Sequence, residues 1–433
     1  MPFETPAAAP RRIAVIGAGI AGLAAAHLMG KAHRVVLFEA ERRLGGHART
    51  VIAGRNGDQP VDTGFIVFNH ATYPHLTALF AELDVPTMES TMSFGASFDG
   101  GRFEYALQGL DSLFAQRRNA LDPRYLRMLR DILRFYAKAG PLRDRPEMTV
   151  DGMIRDLGLS RWFRDRFLLP FSGAIWSTPA EEIGEFPAAA LIRFFENHAL
   201  LQYSGQHQWF TVRGGSVEYV SRIEATLRGQ GAELRTGAAV AGVRRDAEGV
   251  ELRTAGGDWE RFDEVVFACH SDQSLAMLAD ARPDEVAALA KIRYQPNRAV
   301  LHADPTVMPR RRKCWASWVY SETAGQDRTG PISLSYWMNS LQPAIPADDP
   351  LFVTLNARRP IREELIHDEV LFHHPLYDLA ALQGQAEVRA LNGRQQTWFC
   401  GAWMRNGFHE DGMASAVDVA EAIARRDAER VAA

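Results

Sequence analysis

Arg12-Ile13-Ala14-Val15-Ile16-Gly17-Ala18-Gly19-Ile20-Ala21-Gly22-Leu23 reads as a buried strand that runs into a tight glycine turn and then a helix. Gly17 can adopt the backbone angles of the turn, Gly19 leaves the main chain bare where a pyrophosphate approaches, and Gly22 lets the helix pack close against the strand. Ala18, Ile20 and Ala21 complete the turn and are assigned to the same cofactor site. The helix, to about Met29, aims its unpaired N–H groups and the positive end of its dipole at the phosphates. A second strand, Arg34-Val35-Val36-Leu37-Phe38, ends in Glu39, 22 positions past Gly17. There a carboxylate can accept both ribose hydroxyls of an adenosine. Glycine turns recur by chance in many loops, but here strand, turn, helix, strand and acid stand in order, which defines a dinucleotide clamp.

The chain around this clamp has 433 residues, enough for two or three domain-sized units. A formal charge of −4 and a pI near 6.4 argue against a general nucleic-acid binder. Cys269, Cys314 and Cys400 are widely spaced, form no Cys-x-x-Cys pair and leave an odd thiol in any disulfide scheme, which points to a reducing cytoplasm. Met1 to Pro10 lacks the charged start, apolar stretch and cleavage site of a secretory signal. No uninterrupted apolar run reaches the roughly 18 residues that would span a bilayer, so any membrane contact is expected to be peripheral. The thirteen histidines show no His-Glu-x-x-His spacing, and His373-His374 runs straight into Pro375, so no metal site is expected.

After Glu39 and Ala40 come Arg43-Leu44-Gly45-Gly46-His47 and then Val61-Asp62-Thr63-Gly64-Phe65-Ile66-Val67-Phe68. A nicotinamide-only domain has no obvious need for a second glycine pair. A flavin nucleotide does, because its ribityl and isoalloxazine halves extend past the first clamp. At these residues the sequence resembles the amine oxidase-like FAD superfamily, which includes monoamine and polyamine oxidases, protoporphyrinogen oxidase and phytoene desaturases. In that family Arg-x-Gly-Gly-Arg follows the ribose-binding acid, and a segment ending in Asp-x-Gly leads to the flavin. Arg43, Gly45 and Gly46 match, while His47 replaces the second arginine, with Arg49 nearby. Which side chain faces the pyrophosphate is left open.

The resemblance implies non-covalent FAD, held further by Leu44, Gly64, Phe65 and Ile66. It continues through Thr211-Val212-Arg213-Gly214-Gly215-Ser216, a helix to about Arg228, and strands at Ala239–Val243 and Glu264–Cys269. There it implies that Val240 contacts adenine through its backbone and that Ala268 closes the site. At the C-terminal end, Thr397–Gly401, Gly407–Gly412 and a helix from about Met413 to Arg426 take the family's last FAD segment, with Gly401, Gly412, Met413 and Ala416 as cofactor residues. The family's acid after the glycine is Ala402 here. The helix start can stabilise the negative charge of a reduced flavin. Met413, Val417, Ala420 and Ala424 recur at helical spacing and predict its buried face.

These readings give an α/β fold: a discontinuous, GR2-like Rossmann-type FAD-binding domain over 11–70, 209–292 and 390–430, interleaved with an α+β substrate domain over 71–208 and 293–389. In the substrate domain, Tyr73–Leu83 predicts one helix and Asp122-Pro123 opens another to about Lys138. Ala316–Tyr320, Ser333–Trp337 and Leu351–Leu355 predict an antiparallel sheet with an aromatic face. Leu168–Phe171 and Ala174–Trp176 read as apolar wall, where Trp176 either faces substrate or is plain core.

A narrower resemblance is carried by Val61–Asn69, Leu113-Phe114-Ala115-Gln116-Arg117-Arg118-Asn119, Ile175-Trp176-Ser177-Thr178-Pro179, Tyr294-Gln295-Pro296-Asn297-Arg298 and Gly407-Phe408-His409-Glu410-Asp411-Gly412. It is to bacterial C-methyl fatty acid desaturases and the flavoprotein half of plant cyclopropane-fatty-acid synthases. It implies a fatty acyl substrate, esterified in phospholipid, that is desaturated beside a methyl branch by hydride transfer to flavin N5. His409 and Glu410 are the catalytic candidates for the accompanying proton; alternatively Glu410 caps backbone N–H groups and His409 is structural. Two other functions stay open: an amine oxidase, which would need an aromatic cage, and a flavoprotein partner of a lipid methyltransferase or cyclopropane synthase.

Arg124, Arg127, Arg130, Arg134 and Lys138 form one helical stripe, with Leu126, Leu129, Ile132, Leu133 and Tyr136 expected on the other side. The stripe is either a solvated basic face over ordinary core or, with Arg117, Arg118 and Arg310-Arg311-Arg312-Lys313, a peripheral dock for anionic headgroups on the inner membrane face.

Overall fold

In the computed structural model, which describes residues 9–201, 205–323, 325 and 328–432, β1 (Arg12–Ile16) is the middle strand of a five-stranded parallel sheet. Of the N-terminal stretch Met1 to Pro10, residues 1–8 lie outside the described residues. The sheet order is Glu233–Arg235, β2 (Arg34–Phe38), β1, Glu264–Phe267, Thr397–Phe399. Alternate β1 residues serve opposite faces, as the period of a strand requires. Ile13 and Val15 pack under α1 (Ile20–Met29) and the C-terminal helix His409–Ala432, while Ala14 and Ile16 pack against Ala288, Leu289, Val388 and Leu391 on the other face. Covering on both faces is what lets a parallel sheet consist of continuous apolar runs.

A seven-stranded sheet forms the second layer system, in the order Ile366–Pro375, Tyr294–His302, Phe352–Leu355, Leu334–Trp337, Trp318–Ser321, Phe94–Phe98, Phe103–Ala106. The three strands expected from the sequence pair antiparallel with one another, as predicted, while the sheet as a whole is mixed because Phe94–Phe98 pairs in parallel with Trp318–Ser321. The hairpin Phe94–Ala106 comes from a distant part of the chain, so no turn dictates the direction in which it docks on the edge of this sheet.

The cores also shift the expected boundary between the halves. α2 (Pro74–Glu82) places Leu76, Leu79 and Phe80 in the core beneath α1, and Leu379–Leu391 packs on the parallel sheet through Val388 and Leu391. The sequence reading places α2 and residues 379–389 in the substrate domain; their apolar faces are buried by the nucleotide-binding half.

Two helix faces are rotated from their expected orientation. The helix Pro123–Lys138 buries Tyr125, Met128, Ile132 and Phe135, together with Asp131, which accepts a hydrogen bond from Ser160 N at 2.9 Å. Leu126 and Leu133 are exposed, on the arginine side. The C-terminal helix begins at His409, earlier than expected, and buries Met413, Ala416, Val419 and Ile423, leaving Ala424 exposed. Its Gly412 abuts Ile20 at the start of α1, and that contact sets which side of the helix faces inward.

Candidate cofactor site

The site forms where the starts of two helices meet. A Cβ on Gly22 would overlap the Gly17 carbonyl oxygen, so only glycine lets α1 leave the turn at this angle. Gly17 N donates to Phe38 O at 2.8 Å, closing the turn on β2. A Cβ on Gly19 would meet nothing within 4 Å. Gly19 therefore fronts open space at the N-cap of α1, where the first-turn N–H groups of Ile20, Ala21 and Gly22 have no intrahelical acceptors. The site has the character of a phosphate cradle.

Glu39 ends β2 beside it. Its Oε2 accepts from Ala18 N at 2.7 Å and its Oε1 from Glu41 N at 2.9 Å. Each carboxylate oxygen keeps acceptor capacity for a ribose hydroxyl. Ala238 N donates to Glu39 O and Gly237 N to Glu41 O, both at 2.8 Å, which brings the strand that starts at Val240 alongside Glu39 and the exposed Ala40. Ala268 N donates to Ile16 O, and its carbonyl sits against Gly17, on the far side of the turn.

The second glycine pair lies directly on the first. Gly45 N donates to Ala18 O at 2.8 Å, and a Cβ on Gly46 would stand 2.9 Å from Gly19 Cα. Leu44 is buried in the core beneath. Arg43 spends its guanidinium within the loop, donating to Gly46 O at 2.8 Å and Ala48 O at 3.1 Å. Arg49 pairs with Asp368 of the large sheet. Thus Arg43 braces the turn, Arg49 is committed elsewhere, and His47 occupies the remaining position. Its ring stacks on Phe372 at 4.7 Å and lies 5.7 Å from the His374 ring and 6.1 Å from that of His270. Burial first, then the neighbouring His270, Arg43 and His373, lowers His47 to about 4; burial likewise lowers His270 to about 4 and His374 to about 3. Near neutral pH this cluster carries no charge.

Phe65 N donates to His47 O at 2.9 Å, laying Gly64, Phe65 and Ile66 across the glycine pair. The Phe65 ring stacks on His409 at 3.8 Å, and His409 Nε2 is 2.8 Å from Tyr219 Oη. Burial lowers His409 to about 3, which makes its imidazole a weak base. Glu410 takes the capping geometry that the sequence left open: its carboxylate accepts from His75 N at 3.0 Å and Leu76 N at 2.9 Å, in the first turn of α2. Gly401 N donates to Ser415 Oγ at 2.9 Å, tying the strand end Thr397–Phe399 to the C-terminal helix, whose Met413 and Ala416 are buried with α1. Cys400 is fully buried, and its thiol is pushed well above its ordinary value by desolvation.

Three functional positions were not singled out from sequence. Buried Asp62 accepts from Thr50 Oγ1 and Ser216 Oγ at 2.7 Å, Ser216 N at 2.8 Å and Gln342 Nε2 at 3.0 Å, joining the two halves of the molecule. Asp411 accepts from Phe408 N at 2.9 Å, and burial raises its carboxyl to about 7. Tyr219 orients His409. Asp62 lies in the Asp-x-Gly segment and Asp411 in the Gly407–Gly412 segment, so both had a signal; Tyr219 is one helix residue among many and had none.

Beside the start of the C-terminal helix, Trp176 packs on Phe194 at 4.8 Å and Phe194 stacks on Phe408 at 5.0 Å. Trp176 is buried, and its Nε1 donates to Asn406 O at 3.2 Å. Ile175, Leu200, Leu201 and Phe408 pack against this core while only partly buried. The wall is apolar. Among the described residues, no helix is long and apolar enough to cross a membrane.

A glycine cradle at a helix start, an acid at the end of the second strand and a second helix start opposite together fit FAD. The chain belongs to the flavin-containing amine oxidoreductase family, whose profile matches residues 20–416, and it is an FAD-dependent oxidoreductase. Among solved structures it resembles putrescine oxidase bound to putrescine (15% identity, TM-score 0.67, 96% of this chain and 99% of that one). It also resembles a fatty acid isomerase from P. acnes that produces CLA (14%, 0.64, 96% and 98%) and cyclohexylamine oxidase from Brevibacterium oxydans (15%, 0.65, 96% and 100%). At these identities the likeness is one of fold. An L-amino-acid oxidase of Crotalus adamanteus is 48% identical over 42 residues, which is 10% of this chain and only 8% of that protein's length.

Proposed function

We propose that the chain desaturates a methyl-branched or related fatty acyl chain, esterified in phospholipid. Bound FAD supplies a two-electron acceptor that takes a hydride from carbon. The neighbouring carbon would give up a proton to a nearby base or a single admitted water, and a C=C bond forms between the two carbons. The protein's own contribution is orientation and exclusion of water by the apolar wall of Trp176, Phe194 and Phe408.

The observation that carries this reading is the mismatch between that wall and a cation. Asp62, Glu410 and Asp411, the carboxylates described beside the site, each accept backbone N–H groups, and the Phe194 and Phe408 rings are in contact with no gap between them for an ammonium. The amine oxidase reading draws support from the family and from putrescine oxidase and cyclohexylamine oxidase as fold relatives. A role as flavoprotein partner of a lipid methyltransferase or cyclopropane synthase is the third. Anaerobic mixing separates them: methyl-branched phospholipid should bleach the oxidised flavin, and putrescine or cyclohexylamine should not. Bleaching by an amine alone overturns the proposal. Lipid profiles of cells with and without the chain should differ in an unsaturated methyl-branched acyl species. If the flavin stays oxidised with lipid until a methyltransferase is added, the partner reading replaces ours.

A further inference from the structure

The helix Pro123–Lys138 and the turns before it present exposed leucines among arginines, several of them unpaired. Leu110, Leu121, Leu126 and Leu133 are 76%, 86%, 45% and 56% exposed. Leu126 and Leu133 stand two turns apart on the face that also carries Arg127, Arg130 and Arg134. The turn Leu110–Leu113 is held beside the start of this helix by Tyr125 Oη, which donates to Leu113 O at 2.9 Å.

Residues 110–138 carry seven basic and three acidic side chains in a chain of net charge −4, so positive charge is concentrated here. The three acids are engaged: Asp111 with Lys313, Asp122 with Arg124, and Asp131, in the core beneath Ser160 N, with Arg127 at 3.9 Å. Arg117, Arg130, Arg134 and Lys138 make no ion pair with any described residue. A merely solvated face has no use for four exposed leucines, and a second copy of the same face would set arginine against arginine.

We propose that this face docks peripherally on an anionic phospholipid bilayer, the leucines entering the headgroup–acyl boundary and Arg117, Arg127, Arg130 and Arg134 meeting lipid phosphates. Insertion of leucines makes the contact partly resistant to salt, which a purely electrostatic stripe would not be. The argument uses only this surface and does not depend on what the flavin site oxidises.

Sedimentation of the FAD-loaded protein with vesicles tests it. The native chain should pellet with phosphatidylglycerol–phosphatidylcholine vesicles at low salt, pellet far less with phosphatidylcholine alone, and retain a fraction of its binding at high salt. With roughly fivefold per charge at the surface, Arg127→Gln/Arg130→Gln/Arg134→Gln should lose at least about tenfold in partitioning. Leu121→Gln/Leu126→Gln/Leu133→Gln should lose the salt-resistant fraction. Both should keep the native flavin spectrum, and single Leu121→Gln and Arg130→Gln variants, altering highly exposed side chains, repeat the comparison with least risk to folding. Equal pelleting with neutral and anionic vesicles overturns the proposal, as does native-level binding by both triple variants. So does a native dimer that the leucine substitutions dissociate, which would make the face an interface between copies.

Discussion

Glu39 and Asp62 show how two carboxylates 23 positions apart do opposite work. Glu39 is half-buried and holds the glycine turn through Ala18 N while keeping acceptor capacity for a ribose. Replacing it with arginine removes both functions, and loss of hydrogen bonds to a charged group should weaken FAD binding by roughly 1.5–3 kcal/mol, about ten- to a hundredfold. A flavin fluorescence titration of Glu39→Arg reads this directly, and an unchanged Kd would place the ribose elsewhere. Asp62 is buried among donors. Burial, its larger influence, pushes the carboxyl up to about 6 against the hydrogen bonds from Thr50 and Ser216, which pull it down. A carboxyl with a raised folded-state pKa binds its proton more tightly folded than unfolded. Its contribution is therefore fully present below about 4 and is lost as pH rises through about 6. The native melting temperature minus that of Asp62→Asn should fall across this window and level off above it. A flat difference would mean that the Asp62 carboxyl binds its proton equally well in the folded and unfolded chain, and a rising one that its folded-state pKa is depressed. Glu410, as a cap on α2, gives a third expectation: Glu410→Ala should lower stability by about 1 kcal/mol, seen by chemical denaturation, while flavin affinity stays the same.

At the scale of elements, the two glycines of α1 separate folding from binding. Gly22→Ala forces a methyl into the Gly17 carbonyl and should both lower the melting temperature of the apoprotein and weaken FAD. Gly19→Ala adds a methyl to open space and should leave the apoprotein's melting temperature unchanged while impairing FAD binding, because that space is the cradle. Equal effects in the melting curves would refute the assignment of the open space to the cofactor. The helix Pro123–Lys138 shows what sequence periodicity leaves undecided. Its sequence carries two apolar sets one residue apart, Tyr125-Met128-Ile132-Phe135 and Leu126-Leu129-Leu133-Tyr136, pointing about 100° apart. Either set would satisfy a helical pattern. The packed structure chooses the first, with Asp131 brought to the Ser160 N–H, and the rejected set supplies the exposed leucines.

At the scale of the molecule, the candidate cofactor site lies where three separated stretches of chain converge, so FAD bound there should stabilise the whole. Free FAD at a hundredfold excess over Kd adds about 2.7 kcal/mol if only the folded state binds, and the holoprotein should melt well above the apoprotein. The colour should pass into the supernatant on acid precipitation, as expected of non-covalent FAD; retention in the pellet would show a covalent bond.

The sequence by itself determined the parts of the site in which neighbours in the chain are also neighbours in space: the turn Gly17–Gly22, the pair Gly45-Gly46 and the existence of a helix through Met413, whose start the structure sets at His409. In each, backbone geometry is set by residues a few positions apart, so the pattern can be read locally. The tertiary structure alone decided that Arg49 pairs with Asp368, that Tyr219 meets His409, and that Asp62 meets Gln342 across 280 positions. It also decided which side of the basic helix faces out. A side chain's partner, when it comes from a remote segment, is fixed by how helices and sheets pack on one another, and no local pattern of residues encodes that meeting.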